Sequence, residues 1–190
     1  GGADLPGKAI VNWCPRCRTA LSDLEVTHRE TAGKLYHLNY PLEGSSGRIL
    51  VVTTRPETLL GDTAVAVHPG DDRYRDRVGK IAIVPVLHRR IPVVADPAVD
   101  RAFGSGAVKV TPAHDPADFA LATRHGLPAV VVIDEEGKMT QEAGPYAGLD
   151  RYACRKKLVA DLTGSGVLTR IQDHLHAVGC CHRCDTVVEP

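Results

Sequence analysis

Cys14-Pro-Arg-Cys17 and Cys181-His-Arg-Cys184 stand near opposite ends of a chain of 190 residues. Each pair has the two-residue spacing that lets two thiolates reach one tetrahedral metal ion, and both carry the pattern Cys-x-Arg-Cys. A zinc ribbon normally closes a much shorter loop. If Cys14, Cys17, Cys181 and Cys184 share one structural zinc, the two ends of the chain lie side by side, and everything between them leaves from and returns to that point. An insertion into a host domain has this layout. The competing reading is unligated thiols. Cys154 and Cys180 read as bystanders, and His182 as a non-ligand between the two cysteines of its pair.

Six cysteines without a secretory signal pattern point to metal ligands or buried thiols rather than disulfides. The composition, 43% hydrophobic and 24% charged, suits a soluble globular protein, and no uninterrupted apolar run reaches membrane length. A cytoplasmic protein with no membrane partner is expected. Lys+Arg and Asp+Glu balance at 23 each, so there is no basic field for non-specific nucleic-acid binding. DNA is therefore not an expected partner, and any RNA contact must come from local patches.

Residues 1–7 carry no periodicity and read as a loose terminus or a cut inside a longer protein. Residues 25–31 and 34–40, with a turn at Ala32-Gly33, read as a hairpin. The apolar, β-branched run at 48–54 should be a buried strand that delivers Thr53-Thr54-Arg55-Pro56-Glu57-Thr58 to a loop. Pro56 holds Arg55 extended and can begin a short helical turn. Strands are also expected at 63–67, 80–84, 91–95 and 129–133, and a short one at 175–178. Asp150 should cap a helix running to about residue 163, with Leu158, Val159 and Leu162 buried and Arg151, Arg155 and Lys157 outside that stripe.

Residues 103–126 hold the densest set of polar groups. Alternation after Gly104-Ser105-Gly106 puts Val108 and Val110 on one strand face and Lys109 and Thr111 on the other. Pro112 ends the strand, Asp115 stands at the N-cap of a helix, Pro116 at its first position, Asp118 in its first turn and Gly126 beyond its end. The bland reading is that both acids merely cap the helix and complement its dipole. Phe103 suits either the core or an exposed platform for a base.

Strands with a few irregularly placed helices fit an α+β fold: a mixed, β-barrel-like sheet with peripheral helices, plus a small knuckle built from both ends. We expect residues 1–24 and 174–190 to form the knuckle and linker region and 25–173 the main domain. No glycine-rich phosphate loop follows a strand.

The segments VNWCPRCRTALSDLEV, TTRPETLLGDTAVAVHP, RRIPVVAD, GSGAVKVTPAHDPADF and LDRYACRKKLV resemble the editing domain of valyl-tRNA synthetases. Leucyl and isoleucyl relatives share the outline, but ETLLGDTAVAV and KVTPAHDPADF are similar to the valyl version. The resemblance implies hydrolysis of threonine misattached to the 3′ end of tRNA(Val), with the rest of the synthetase chain as a second partner. It implies that Arg55 and Thr58, with Thr53 and Thr54, meet the aminoacyl ester and terminal adenosine, and that Phe103 packs near the adenine. Asp118 would hold the substrate ammonium. Thr111 and Asp115, with Lys109, would read the threonine hydroxyl, with His114 nearby. No His-x-Gly-His or Lys-Met-Ser-Lys-Ser motif is present, so ATP chemistry is expected only of the whole enzyme, and the hydrolysis needs no cofactor.

Two other functions compete: a non-catalytic, zinc-dependent tRNA-binding module and a metallohydrolase. Four thiolates leave zinc no open position for water, which disfavours the latter. Stripping zinc is then expected to loosen the knuckle while sparing the pocket.

Overall fold

The computed structural model describes residues 10–190, so the expected loose terminus and the first part of the knuckle region lie outside the described residues. In chain order the elements are β1 (Asn12–Cys14), β2 (Thr19–Leu21), β3 (Val26–Pro41), β4 (Arg48–Thr53), β5 (Ala64–Val67), β6 (Ile81–Ile83), β7 (Arg90–Ala95), β8 (Ala107–Val110), α1 (Pro116–His125), α2 (Arg151–Gly164) and β9 (Leu168–Cys181). β1 and β2 form a small hairpin. β3 pairs antiparallel with both β4 and β9, and a second sheet runs in the order β6-β7-β5-β8, with β5–β7 parallel and its other pairs antiparallel.

The second sheet is mixed, as expected, and the first is wholly antiparallel; both are open, and among the described residues neither closes into a barrel. The expected hairpin at residues 25–40 is also absent. β3 passes straight through Ala32-Gly33, and Gly33 faces His174 on β9. A Cβ at Gly33 would stand 2.2 Å from His176 Cε1, so this glycine makes room for a ring lying across the strand, not for a turn. The first half of β3 is solvated on both faces, which leaves no alternation to betray a strand. β9 is correspondingly far longer than the short strand expected at 175–178.

Residues 129–133 form no strand, only an isolated bridge from Ile133 to Met139. The backbone N–H groups of Val132 and Ile133 donate instead to His114 Nε2, at 3.0 and 3.3 Å. α2 is capped by Asp150, which accepts from Tyr152 N, and buries Leu158 and Leu162 against the main core. Contrary to expectation, Arg151 lies inside, 5% exposed, because a buried carboxylate meets it. β5 is buried along its whole length, and it holds the segments on either side of it against the core.

Candidate functional site

The alternation on β8 divides as its sequence requires. Val108 and Val110 join a small apolar cluster with Ala64, Ala66 and Leu121, while Lys109 and Thr111 point the other way. Asp115 Oδ1 accepts from Asp118 N at 3.0 Å, Pro116 opens α1, and Gly126 closes it at φ 63°. The same carboxylate that caps the helix thus also fixes the backbone of Asp118.

β4 delivers the second half of the site. Arg55 N donates to Thr53 Oγ1 at 3.1 Å, and Thr58 Oγ1 donates to Arg55 O at 2.9 Å, folding the loop into a buried 3₁₀ turn, Pro56–Gly61. The two halves face each other across a cavity of about 220 Å³. Thr53, Thr54, Arg55, Thr58, Phe103, Lys109, Thr111, His114, Asp115 and Asp118 all line it. Phe103 is 42% exposed, which removes its core alternative.

The floor of this cavity is a closed network. Lys109 Nζ donates to Thr58 Oγ1 at 2.7 Å, Thr111 Oγ1 at 2.6 Å and Asp62 Oδ1 at 3.0 Å. An ammonium has three donors, so all of Lys109 is engaged. Thr111 Oγ1 donates to Asp62 Oδ1 at 2.6 Å, and Tyr40 OH donates to Asp62 Oδ2 at 2.6 Å. Asp62 has no exposure at all. Burial holds its carboxyl above the ordinary carboxylate range, and Lys109, Thr111 and Tyr40 offset only part of that rise. Such a pair is tolerated because every Lys109 proton and both Asp62 oxygens have a partner.

Asp118 is arranged differently. One oxygen accepts from Thr111 N at 2.9 Å. Burial and then the neighbouring Asp115 charge push its carboxyl up to about 7. In the first turn of α1, it is thereby tuned to exchange a proton or pair with a cation near neutrality. His114 is 3% exposed, and burial takes its ring down to about 4. With Nε2 accepting from two backbone groups the ring is neutral, so it braces the 130s loop and is poorly placed as a base.

Sequence reasoning missed four groups here: Tyr40, Asp62, Glu57 and Glu189. Glu57, 1% exposed, takes a bidentate pair from Arg155 at 2.8 and 2.7 Å. Glu189, 3% exposed, accepts from Arg55 Nη2 and, at 2.6 Å, from Arg151 Nη1. The one available signal was at Asp62, an acid directly ahead of the apolar run of β5, where a carboxylate must be buried and therefore must find a cation.

At the chain ends, the sulfurs of Cys14, Cys17, Cys181 and Cys184 all lie within 4.8 Å of one another. Cys184 Sγ is 3.5 Å from Cys14 Sγ and 3.6 Å from Cys17 Sγ. Tetrahedral zinc with bonds of about 2.3 Å separates its sulfurs by about 3.8 Å, so the cluster fits that ion. Cys17 N donates to Cys14 Sγ at 3.3 Å, as a ligating thiolate requires. His182 turns away, its Nδ1 3.0 Å from Glu25 O.

Residues 73–156 match the family described as leucyl-tRNA synthetase, editing domain. The crystal structure titled GlLeuRS-CP1 is similar over 73% of this chain and 99% of that one, with a TM-score of 0.59 and 13% identity. A LeuRS in a ternary complex, from Agrobacterium radiobacter K84, is similar over 86% of this chain and 24% of that one, at TM-score 0.57 and 22% identity. The fold is thus that of the editing domains of class I aminoacyl-tRNA synthetases.

Sequence likeness narrows the class. The valine–tRNA ligase of Carboxydothermus hydrogenoformans is 59% identical over 95% of the chain, and that of Thermotoga maritima 58% over 97%. The chain spans 21% of the length of each of these curated relatives. It belongs to the valyl-tRNA synthetase editing domains.

Proposed function

We propose that this domain removes threonine wrongly esterified to tRNA(Val), as the proofreading part of a longer ATP-dependent ligase. A synthetic pocket shaped for valine cannot strongly reject threonine, whose hydroxyl replaces a methyl, so a second, polar site is needed. The observation that carries the reading is Asp118: a carboxylate at a helix start, lining a cavity of about 220 Å³, with one oxygen fixed by Thr111 N. It is suited to grip an α-ammonium. Asp115, across the helix start, is the acceptor for the threonine hydroxyl, a group that valine would leave unpaired. Lys109 and Thr111, held by Asp62, shape the floor, and Thr58 is fixed with them. Thr53, Thr54 and Arg55 line the wall toward the ester and terminal ribose, Phe103 offers a face to adenine, and His114 supports the loop behind them.

In the reaction a water molecule adds to the ester carbonyl carbon, the bond to the ribose oxygen breaks, that oxygen leaves with one of the water's protons, and the other proton passes to solvent. Threonine departs as a carboxylate. No side-chain nucleophile is required. The thiolates of Cys14, Cys17, Cys181 and Cys184 would hold zinc as a structural ion only, since they fill its coordination. We assign residues 25–173 to the editing body and 1–24 with 174–190 to the knuckle and linker. The partners are the tRNA 3′ end and the remaining synthetase chain, in the cytoplasm; no helix of the described residues is long and apolar enough to cross a membrane.

The test is deacylation of threonyl-tRNA(Val) and valyl-tRNA(Val) by the chain. Faster release of threonine supports the reading. Binding of both without release identifies a non-catalytic tRNA module instead.

A further inference from the structure

The expectation that the metal knuckle and the pocket are independent meets a contrary geometry at Glu189. This residue is 3% exposed and lies five positions beyond Cys184. Its backbone pairs with Trp13, N to O in both directions at 2.8 Å, and Trp13 is the neighbour of Cys14. Cys181 N donates to Thr186 O at 2.8 Å, closing the same short ribbon from the other side. The position of Glu189 is therefore set by the two strands that present the cysteines.

Its side chain reaches Arg55, on the wall of the pocket, and Arg151. Oε1 accepts from Arg55 Nη2, and Oε2 accepts from Arg151 Nη1 at 2.6 Å. Arg55 Nη1 in turn donates to His114 O at 3.2 Å, on the segment that carries Asp115. Arg55 is a wall of the pocket, and three of its contacts, to Glu189, His114 O and, at 3.7 Å from Nε, Glu57, fix its guanidinium. Of these only Glu189 is anchored to the knuckle.

We infer that Glu189 is a positioning residue for Arg55 and that it transmits the state of the four-cysteine cluster to the editing pocket. Order in the knuckle holds the Trp13–Glu189 ribbon, the ribbon holds the carboxylate, and the carboxylate holds Arg55. By linkage the coupling is reciprocal: whatever the metal contributes to Arg55, the Arg55–Glu189 pair returns to metal affinity by the same factor.

The chain supplies its own reporter, because Trp13 is its only tryptophan and its indole Nε1 donates to Glu135 O at 2.7 Å. Zinc titration of the metal-free chain, followed by Trp13 emission, measures knuckle affinity without reference to deacylation. Glu189→Gln and Arg55→Gln should each weaken zinc several-fold; the second variant reaches the pair from the pocket side and leaves Arg151–Glu189 in place. This part rests on no assumption about the reaction. Where threonyl-tRNA(Val) deacylation is present, as the proposed function requires, chelation should lower kcat/KM several-fold in the parent chain and add nothing in Glu189→Gln. Equal zinc affinity in all three proteins overturns the coupling. So does chelation that slows Glu189→Gln as much as the parent.

Discussion

Two carboxylates, Asp62 beneath the pocket floor and Asp118 on the pocket lining, have opposite fates. Asp62 is fully buried and surrounded by Lys109, Thr111 and Tyr40, all within 3.0 Å. Asp118 is only partly buried, has one backbone donor, and is pushed up to about 7. The same residue type therefore serves two ends. Where both oxygens are satisfied by donors inside the protein, the acid maintains structure and is closed to a ligand. Where one acid is left short of partners beside another acid, it favours any cation that arrives. Lys109 belongs with the first: its charge is turned toward Asp62, and its other two protons go to the hydroxyls of Thr58 and Thr111.

The most direct way to break this contrast is at the buried pair. Asp62→Ala leaves the Lys109 ammonium buried without its anion, and removing one partner of such a pair costs about 3–5 kcal/mol. Urea unfolding should show a much lower midpoint at unchanged slope. Replacing both, Asp62→Leu with Lys109→Met, should recover much of the loss. If the single and double variants are equally unstable, Asp62 acts through something other than Lys109.

Asp118→Ala is the mirror experiment. Little stability should be lost, but a hydrogen bond to a charged group is worth about 1.5–3 kcal/mol, so kcat/KM for threonyl-tRNA(Val) should fall on the order of 10- to 100-fold. Undiminished deacylation would remove the ammonium-holding role.

The contrast between these acids was only half visible in the sequence, for a physical reason. The strand, turn and helix of residues 103–126 were legible because their causes are local: alternation on β8, Pro112, the Asp115 cap and Gly126 all act within one or two turns of chain. Asp118 came with them. Asp62 did not, because Tyr40 and Lys109 approach it from distant strands. The same holds for Glu189, whose partner Arg55 is remote in the chain, and for Gly33, which reads as a turn until His176 is seen lying over it. Pairing of β3 with β9 joins residues so far apart that no periodicity reports it.

A smaller effect sharpens the assignment of the proton. If free Asp118 must be ionised to meet the ammonium, kcat/KM should fall on the acid side with a midpoint near 7, and Asp118→Asn should lose that limb. Stability runs the other way. A carboxyl whose folded value is raised from 3.8 to about 7 contributes most at low pH, and that contribution is lost as pH rises between these values. Asp118→Asn should therefore gain stability relative to the parent between pH 5 and 8. A flat difference across this range would mean that the acid is not perturbed in the free protein.

The least disruptive change concerns Asp115, which both caps α1 and raises Asp118 by its charge. Asparagine caps as well as aspartate, whereas alanine loses about 1 kcal/mol of helix stability. Asp115→Asn should thus unfold like the parent while moving the acid limb of deacylation to lower pH, since Asp118 no longer faces a like charge; burial, Lys109 and Asp62 are left acting on it. Asp115→Ala should show the same shift together with a lower urea midpoint. If asparagine moves the midpoint of unfolding but not the pH limb, Asp115 is a cap alone, and the pairing of two acids at this helix start has no bearing on the proton that Asp118 holds.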